Sequence, residues 1–323
     1  MAAPRQLSLV GWIHGPFRDT ALMLAWVPFS GAAFAAGSHR SALSGVVAVT
    51  LLISLAHQPL TLGLIYGDPA QFAVARRVFT FAPFVLLAAV IIGQHISLAL
   101  VGAVAGLWNA EHTLMQRYGL VRIYGRKAGE GTRSDERPML ISWLVFALVW
   151  AAADRRTPDL LKRIDLGATN EAGVRVLHSL QPWARAALVP ATLAVIITAV
   201  RWWRIESNSP VVSQPKRLYL LTTAVLFAVM VWNPIVGLIG YVGAHAVEYV
   251  VIVHSALGKR YAGSGAEPGG FVGTAVRSRV RATGCVMAYL LVVAGMLAAV
   301  QLFVTPSVAS VVLLTVEIGR AHV

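Results

Sequence analysis

Four histidines and two acids lie inside apolar segments of this sequence, where their types could support metal chemistry. Ionisable side chains cost free energy inside a bilayer, so their presence in such a segment indicates a functional site. Neutral imidazole and carboxylate groups are ligands for iron, zinc and copper. The sequence therefore predicts a metal site whose ligands are His57, His112, His245 and His254. Two acids, Glu248 and Asp68, lie with them. Either could be a fifth ligand, or they would orient a ligand or move a proton.

The spacing within each segment favours a shared helix face, since side chains three or four residues apart on a helix are neighbours. Gln116 follows His112 at this spacing, and Glu248 follows His245. His254 follows His245 by nine residues, which puts it on the opposite face of a helix. Whether these two histidines bind one metal therefore stays open. The residues expected to line the site by hydrogen bonding are Thr61, Gln116, Asn233 and Tyr249.

The composition indicates a membrane protein. Hydrophobic residues make up 57% of the 323 residues and charged residues 13%, whereas soluble domains carry about 25% charged residues. The formal net charge of +13 comes from short basic clusters between apolar runs. Such clusters are typical of cytoplasmic loops and not of a nucleic-acid-binding face. The single cysteine, Cys285, excludes a disulfide within the chain and a multi-cysteine metal site.

Apolar runs long enough to cross a bilayer predict an all-α, polytopic transmembrane helical bundle with about nine spans and a truncated tenth. We expect a single transmembrane helical domain over residues 1–316. Residues 317–323 resemble the translation of a sequencing adapter, and we expect them to be an artefact. The predicted spans cover residues 20–37, 42–66, 78–95, 96–117, 138–153, 184–203, 218–236, 237–257 and 283–304.

The distribution of lysine and arginine predicts the orientation. Most of them fall in alternate loops that share the side of the N-terminus, which the positive-inside rule assigns to the cytoplasm. We therefore expect a multi-pass protein of a bacterial cytoplasmic (inner) membrane, with the lipid bilayer as its surroundings. In this orientation the polar residues of the predicted site collect on the inner side.

Two loops carry most of the remaining charge. The outer loop 154–182 has a partly amphipathic pattern and is expected to lie along the membrane surface as a helix. The apolar residues of this pattern are Leu160, Leu161, Ile164 and Leu166. The inner loop 118–138 is rich in glycine and charge, and we expect it to be mobile and solvated. Its first part is expected to anchor the chain at the interface through Tyr118, Arg122, Tyr124 and Lys127.

The stretch HTLMQRYGLVRIYGRK (112–127) resembles a group of bacterial polytopic membrane proteins that carry a histidine, a glutamine four residues later and then Tyr-Gly with a basic tail. HQPLTLGLIYGD (57–68) is similar to a second histidine segment of that group. The layout of inner-side histidines on separate spans also resembles, more distantly, the membrane carotenoid-cleaving dioxygenases of the Brp/Blh type. That resemblance implies one iron held by histidines. The paired histidine–aspartate signatures of those enzymes are absent from this sequence.

These observations favour a membrane metalloenzyme, a non-haem iron oxygenase that acts on a lipophilic substrate such as a carotenoid or an acyl lipid. Zinc or copper could take the place of iron. A second hypothesis is a proton-coupled transporter with a relay of Asp68, Glu248 and His245. A third is a subunit that binds haem or quinone through histidine pairs, and a fourth is a purely structural membrane subunit.

Overall fold

The computed structural model describes residues 6–8, 11–130, 135–164, 168–261 and 278–303. The predicted tenth span and residues 317–323 lie outside these ranges. The described chain is almost entirely helical. Its helices are α1 Pro16–Met23, α2 Trp26–Ala36, α3 Arg40–Tyr66, α4 Pro69–Val74, α5 Arg76–Lys127, α6 Glu136–Ala153, α7 Thr157–Lys162, α8 Ala168–Ser207, α9 Gln214–Trp232, α10 Pro234–Tyr261 and α11 Arg279–Phe303.

One small sheet accompanies the described helices. Strand β1 (Gln6–Ser8) pairs in parallel with β2 (Val211–Ser213), with Gln6 opposite Val211. The pairing ties the start of the described chain to the segment that precedes α9.

The structure confirms the prediction that the chain is helical, with segments compatible with a membrane protein. Six helical segments within the described residues are long and apolar enough to cross a bilayer, namely Pro16–Ala36, Arg76–Ser97, Glu136–Ala153, Gly173–Ser207, Gln214–Trp232 and Pro234–Arg260. The count of nine spans and a tenth stays a prediction. Backbone geometry at Ser97 is non-helical (φ −167°, ψ 113°), so α5 consists of two helices joined at the boundary that the sequence predicts between 78–95 and 96–117.

The chain divides into two compact units. The first unit comprises Met1–Val47 and Ala110–His245, and the second comprises Ala48–Asn109 and Ala246–Val323. The boundaries between them fall within α3, α5 and α10. A single domain over residues 1–316 stays a prediction.

Proline and capping residues set the helix ends. Asp68 accepts hydrogen bonds from the backbone N–H groups of Ala70 and Gln71 and so caps α4, whose first residue is Pro69. α3 therefore ends at Tyr66, as the sequence predicts. The break between α9 and α10 lies at Asn233, because Pro234 starts α10 and the Asn233 side chain accepts a hydrogen bond from Val236 N–H. The predicted division of this run between residues 236 and 237 is wrong.

In the first unit, α10 packs closely against α2 and the end of α9. Gly237, Gly240 and Gly243 recur every third residue, and a Cβ at any of them would overlap a neighbour. The neighbours are Met230, Ser30 and Phe29, in that order. Small residues allow this close helix approach, which is how membrane helices gain packing contacts without a hydrophobic driving force.

Two loop predictions need correction. The inner loop 118–138 is helical as far as Lys127, and Leu120, Val121 and Tyr124 are buried there, so this part is not a solvated loop. The burial of Arg122 and Tyr124 also argues against an interfacial anchor at these two residues. In the outer loop 154–182, α7 and the start of α8 replace most of the loop, and Pro182 lies inside α8. The amphipathic pattern holds in α7: Leu160 and Leu161 pack on a buried cluster, while Asp159 and Lys162 are exposed.

Candidate functional site

Two of the predicted metal ligands lie side by side in the first unit. The ring centroids of His112 in α5 and His245 in α10 are 5.3 Å apart, and the ring planes are nearly perpendicular at 88°. His245 is fully buried and His112 is half-buried. The two histidines are 133 residues apart in the sequence, and the structure brings them together from different helices.

Two hydrogen bonds fix the helices that carry this pair. The Gln116 side chain donates to the backbone carbonyl of His245 over 3.1 Å. The Tyr241 hydroxyl donates to the carbonyl of Ala110 over 2.7 Å. Both bonds join α5 to α10, since Gln116 lies one turn after His112 and Tyr241 lies one turn before His245. They therefore set the register in which the imidazoles meet. The sequence predicts that Gln116 lines the site by hydrogen bonding. In the structure its hydrogen bond goes to the backbone of His245, a candidate ligand.

A buried arginine supports the same region. Arg117 is fully buried, and its guanidinium lies 5.6 Å from the ring centroid of Tyr219 and 5.7 Å from that of Tyr241. It also donates to the Thr223 hydroxyl over 3.2 Å. Cation–π contacts of this kind stabilise a desolvated guanidinium. Sequence reasoning counted Arg117 only as an inner-side charge, although Arg117, Leu120, Val121 and Tyr124 follow a helical stripe.

In the second unit, His57 packs against Tyr249. Their ring centroids are 5.0 Å apart, and His57 is buried. Glu248 in the same unit is fully buried. His254 shares a 2.8 Å hydrogen bond with the Thr283 hydroxyl of α11, which is an interhelical bond of the ordinary membrane-protein kind. A common centre for all four histidines stays a prediction.

Asp68 has structural partners in the second unit. Besides capping α4, its carboxylate lies 3.0 Å from Arg260 of α10, and the Asp68 side chain is 2% exposed. Asp68, for which the sequence predicts a catalytic role, thus serves in the structure as a helix cap and as a member of an ion pair.

The remaining predicted wall residues have separate positions. Asn233 caps the first turn of α10 in the first unit. Tyr249 contacts His57 in the second unit. Thr61 lies in α3, and its side chain is outside the described residues.

The structure also contains a buried ionic cluster that the sequence reasoning missed. Lys216, at the start of α9, lies within 2.6 Å of Glu130, 3.2 Å of Glu136 and 2.6 Å of Glu206. The four side chains are between 2% and 6% exposed. Oxygens of the three glutamates lie within 4.8 Å of one another, which makes them the one group of three candidate metal ligands among the described residues. The Lys216 ammonium occupies the centre of that group.

Further charges complete this ionic cluster. Arg217 pairs with Glu206 at 2.9 Å and Arg122 pairs with Glu136 at 3.5 Å. Three cations therefore face three carboxylates where the ends of α5 and α8 meet the starts of α6 and α9. Because the charges balance and a lysine fills the cage, the cluster is a structural ion-pair network. It does not need a metal.

Burial sets the protonation of one member of the cluster. Desolvation raises the pKa of the Glu130 carboxyl above its ordinary value, against the hydrogen bond and the charge of Lys216, which lower it. Glu206 and Glu136, as neighbouring anions, add to the rise in this pKa.

The structure brings His112 and His245 together in the first unit with Gln116 beside them, and it places the other predicted ligands and acids in the second unit. No protein-family model, curated protein or solved structure matches the chain.

Proposed function

We propose that this chain is an integral membrane metalloenzyme, a non-haem iron oxygenase for a lipophilic substrate, with His112 and His245 as two of its metal ligands. The observation that carries the proposal is the perpendicular imidazole pair between α5 and α10. Imidazole and open coordination positions suit iron that reacts with oxygen. Bound iron would supply the activation of O₂, and the chain would supply the ligands, their orientation and an apolar surrounding.

The distance between the rings fits a shared metal. A metal–nitrogen bond of about 2.1 Å puts a ring centroid about 3.2 Å from the ion. Two such rings at a tetrahedral angle then have centroids about 5.2 Å apart. The observed separation of 5.3 Å agrees with that value. Edge-to-face stacking without an ion also falls in this range, so metal content has to decide between the two.

The same distance argues against haem at this pair. Two histidines on opposite faces of a haem would have ring centroids about 6.4 Å apart, with the porphyrin between them. The pair is about 1 Å closer than that. A haem held by His112 and His245 would therefore require α5 and α10 to separate.

Hydrogen bonding to the backbone supports a preorganised pair. A ligand histidine needs its ring held in one orientation, and this is normally done by contacts outside the metal itself. Here Gln116 and Tyr241 fix the relative position of the two helices on either side of the rings. The helix α10, which carries His245, is long and apolar enough to cross a bilayer. A substrate would therefore reach the pair from the bilayer, which favours a lipophilic compound.

The test is the metal content of the purified full chain, measured by elemental mass spectrometry after anaerobic loading with Fe(II) and removal of excess metal. We expect about one iron per chain, and at least a ten-fold loss in His112→Ala and in His245→Ala. His178→Ala is the matched control, because His178 is an exposed histidine of α8. The variants His57→Ala and His254→Ala test the ligands predicted in the second unit.

Wild-type protein without bound metal, or metal content unchanged in both His112→Ala and His245→Ala, would contradict the proposal. A metal-free protein whose reconstituted flux is lost in Glu248→Gln would identify the transporter hypothesis in its place. The loss of iron in the control variant would show that the metal is held nonspecifically.

A further inference from the structure

A second candidate site lies in the first unit, at the end of it opposite the ionic cluster around Lys216. A cavity of about 280 Å³ lies between the end of α2, the start of α3, α7 and the turn from α9 to α10. Its walls are mainly apolar, with Phe34, Leu43, Leu160 and Ile235 among them. Three polar residues complete the lining: Ser38, Arg163 and Asn233.

The position of this cavity along α9 places it at a membrane boundary. Lys216 and its ionic cluster lie at the first turn of α9, whereas the cavity lies at the last, beside Asn233. Nineteen residues of helix separate the two ends, which is about 28 Å and close to the thickness of the hydrocarbon core. In the predicted orientation the cavity faces the outer leaflet.

Aromatic and amphipathic elements beside the cavity fit the same boundary. Phe34 and Trp232 contact each other with centroids 5.7 Å apart and are 62% and 55% exposed. Tryptophan is enriched where the headgroups begin, which fits the position of Trp232. The helix α7 lies there too, with Asp159 and Lys162 in solvent and its leucines on the buried cluster.

The charge of the cavity comes from one residue. Arg163 follows α7 and is exposed, and among the described residues it makes no ion pair. Its neighbour Lys162, in contrast, pairs with Asp159 at 3.4 Å. None of the described residues that line the cavity is acidic. The described part of the site therefore combines an apolar slot with the positive charge of Arg163.

We propose that this cavity binds one anionic phospholipid of the surrounding bilayer, with its phosphate on Arg163 and part of one acyl chain between Phe34, Leu43 and Ile235. A guanidinium binds a phosphate by paired hydrogen bonds. The cavity volume lies just below the usual range for small-molecule pockets, which suits a chain segment and excludes a whole carotenoid. The proposal is independent of the metal site.

The test is native mass spectrometry of the delipidated full chain in mild detergent, titrated with phosphatidylglycerol or phosphatidylcholine of the same acyl chains. We expect the wild type to bind at least one phosphatidylglycerol about five-fold more tightly than phosphatidylcholine. Arg163→Gln should remove that preference. Lys162→Gln, the matched control, should keep it. Ser38→Trp, at an exposed turn that lines the cavity, should weaken the binding of both lipids.

Equal affinity of the wild type for both lipids would overturn the proposal, and so would an unchanged preference in Arg163→Gln. An equal loss in Lys162→Gln and Arg163→Gln would also overturn it, because it would show general surface charge in place of a site.

Discussion

Lys216 Nζ lies 2.6 Å from Oε2 of Glu206, and this pair closes the turn between α8 and α9 with both side chains buried. Glu130 and Glu136 reach the same ammonium group from other segments. One lysine therefore connects the segments around α5, α6, α8 and α9 at one end of the first unit. The cost of removing it follows from the three carboxylates that would remain.

Lys216→Met should destabilise the protein by about 3–5 kcal/mol, because it leaves Glu130, Glu136 and Glu206 buried without their central cation. The measurement is denaturant or thermal unfolding in detergent, followed by circular dichroism. Lys162→Met is the control, since its exposed pair with Asp159 contributes less than about 1 kcal/mol. Equal stability of the two variants would contradict a structural role for the cluster.

Stability should depend on pH through Glu130. Because burial raises its folded pKa, the folded chain holds this proton to higher pH than the unfolded chain does. The contribution of Glu130 to the free energy of unfolding should therefore be fully present below its unfolded pKa of about 4.5 and be lost as pH rises through the folded pKa. Glu130→Gln should reduce this slope, and unfolding measured across that window checks it. An identical pH slope in wild type and variant would show that Glu130 does not titrate as proposed.

The close contact of α10 with α2 predicts different outcomes for two glycines of one helix. Gly243→Ala should cost about 1–3 kcal/mol, because the new Cβ would overlap the Phe29 ring. Gly258→Ala should be neutral or stabilising, because a Cβ there meets no atom within 4 Å and alanine favours the helix. Thermal unfolding of both variants tests the packing. Similar losses in the two would argue against it.

Two substitutions of Asp68 distinguish a capping role of this residue from a catalytic one. Asp68→Asn should keep the cap of α4 and lose the ion pair with Arg260, whereas Asp68→Ala should lose both and be less stable by about a further 1 kcal/mol. Both variants should keep wild-type metal content. A loss of metal in Asp68→Asn, with stability retained, would assign Asp68 to the metal centre and not to the helix end.

Local patterns in the sequence predict what depends on neighbours along the chain. The end of α3 before Asp68 and Pro69 was predictable from proline and capping chemistry. The spacing of His112 and Gln116 indicated a shared face, and the structure places both beside His245. The division between α9 and α10 was wrong because hydropathy hides a break inside a continuous apolar run. Asn233 followed by Pro234 was the signal for it.

The long-range ion pairs could not be predicted from the sequence. Lys216 meets Glu130 and Glu136 across 86 and 80 residues, and nothing in the spacing of these residues indicates that pairing. Counting charges for orientation treated Lys216 as a solvated loop residue, although it is 1% exposed. The burial of Arg117 and Tyr124, in contrast, follows a helical period that could have been read across the supposed loop.

The most direct test of the metal hypothesis is the first coordination sphere of the iron-loaded protein. X-ray absorption spectroscopy at the iron edge measures it. We expect imidazole nitrogens at about 2.1 Å from the iron, and their loss in the double variant His112→Ala, His245→Ala. An iron spectrum without imidazole scattering, or one that the double variant leaves unchanged, would contradict it.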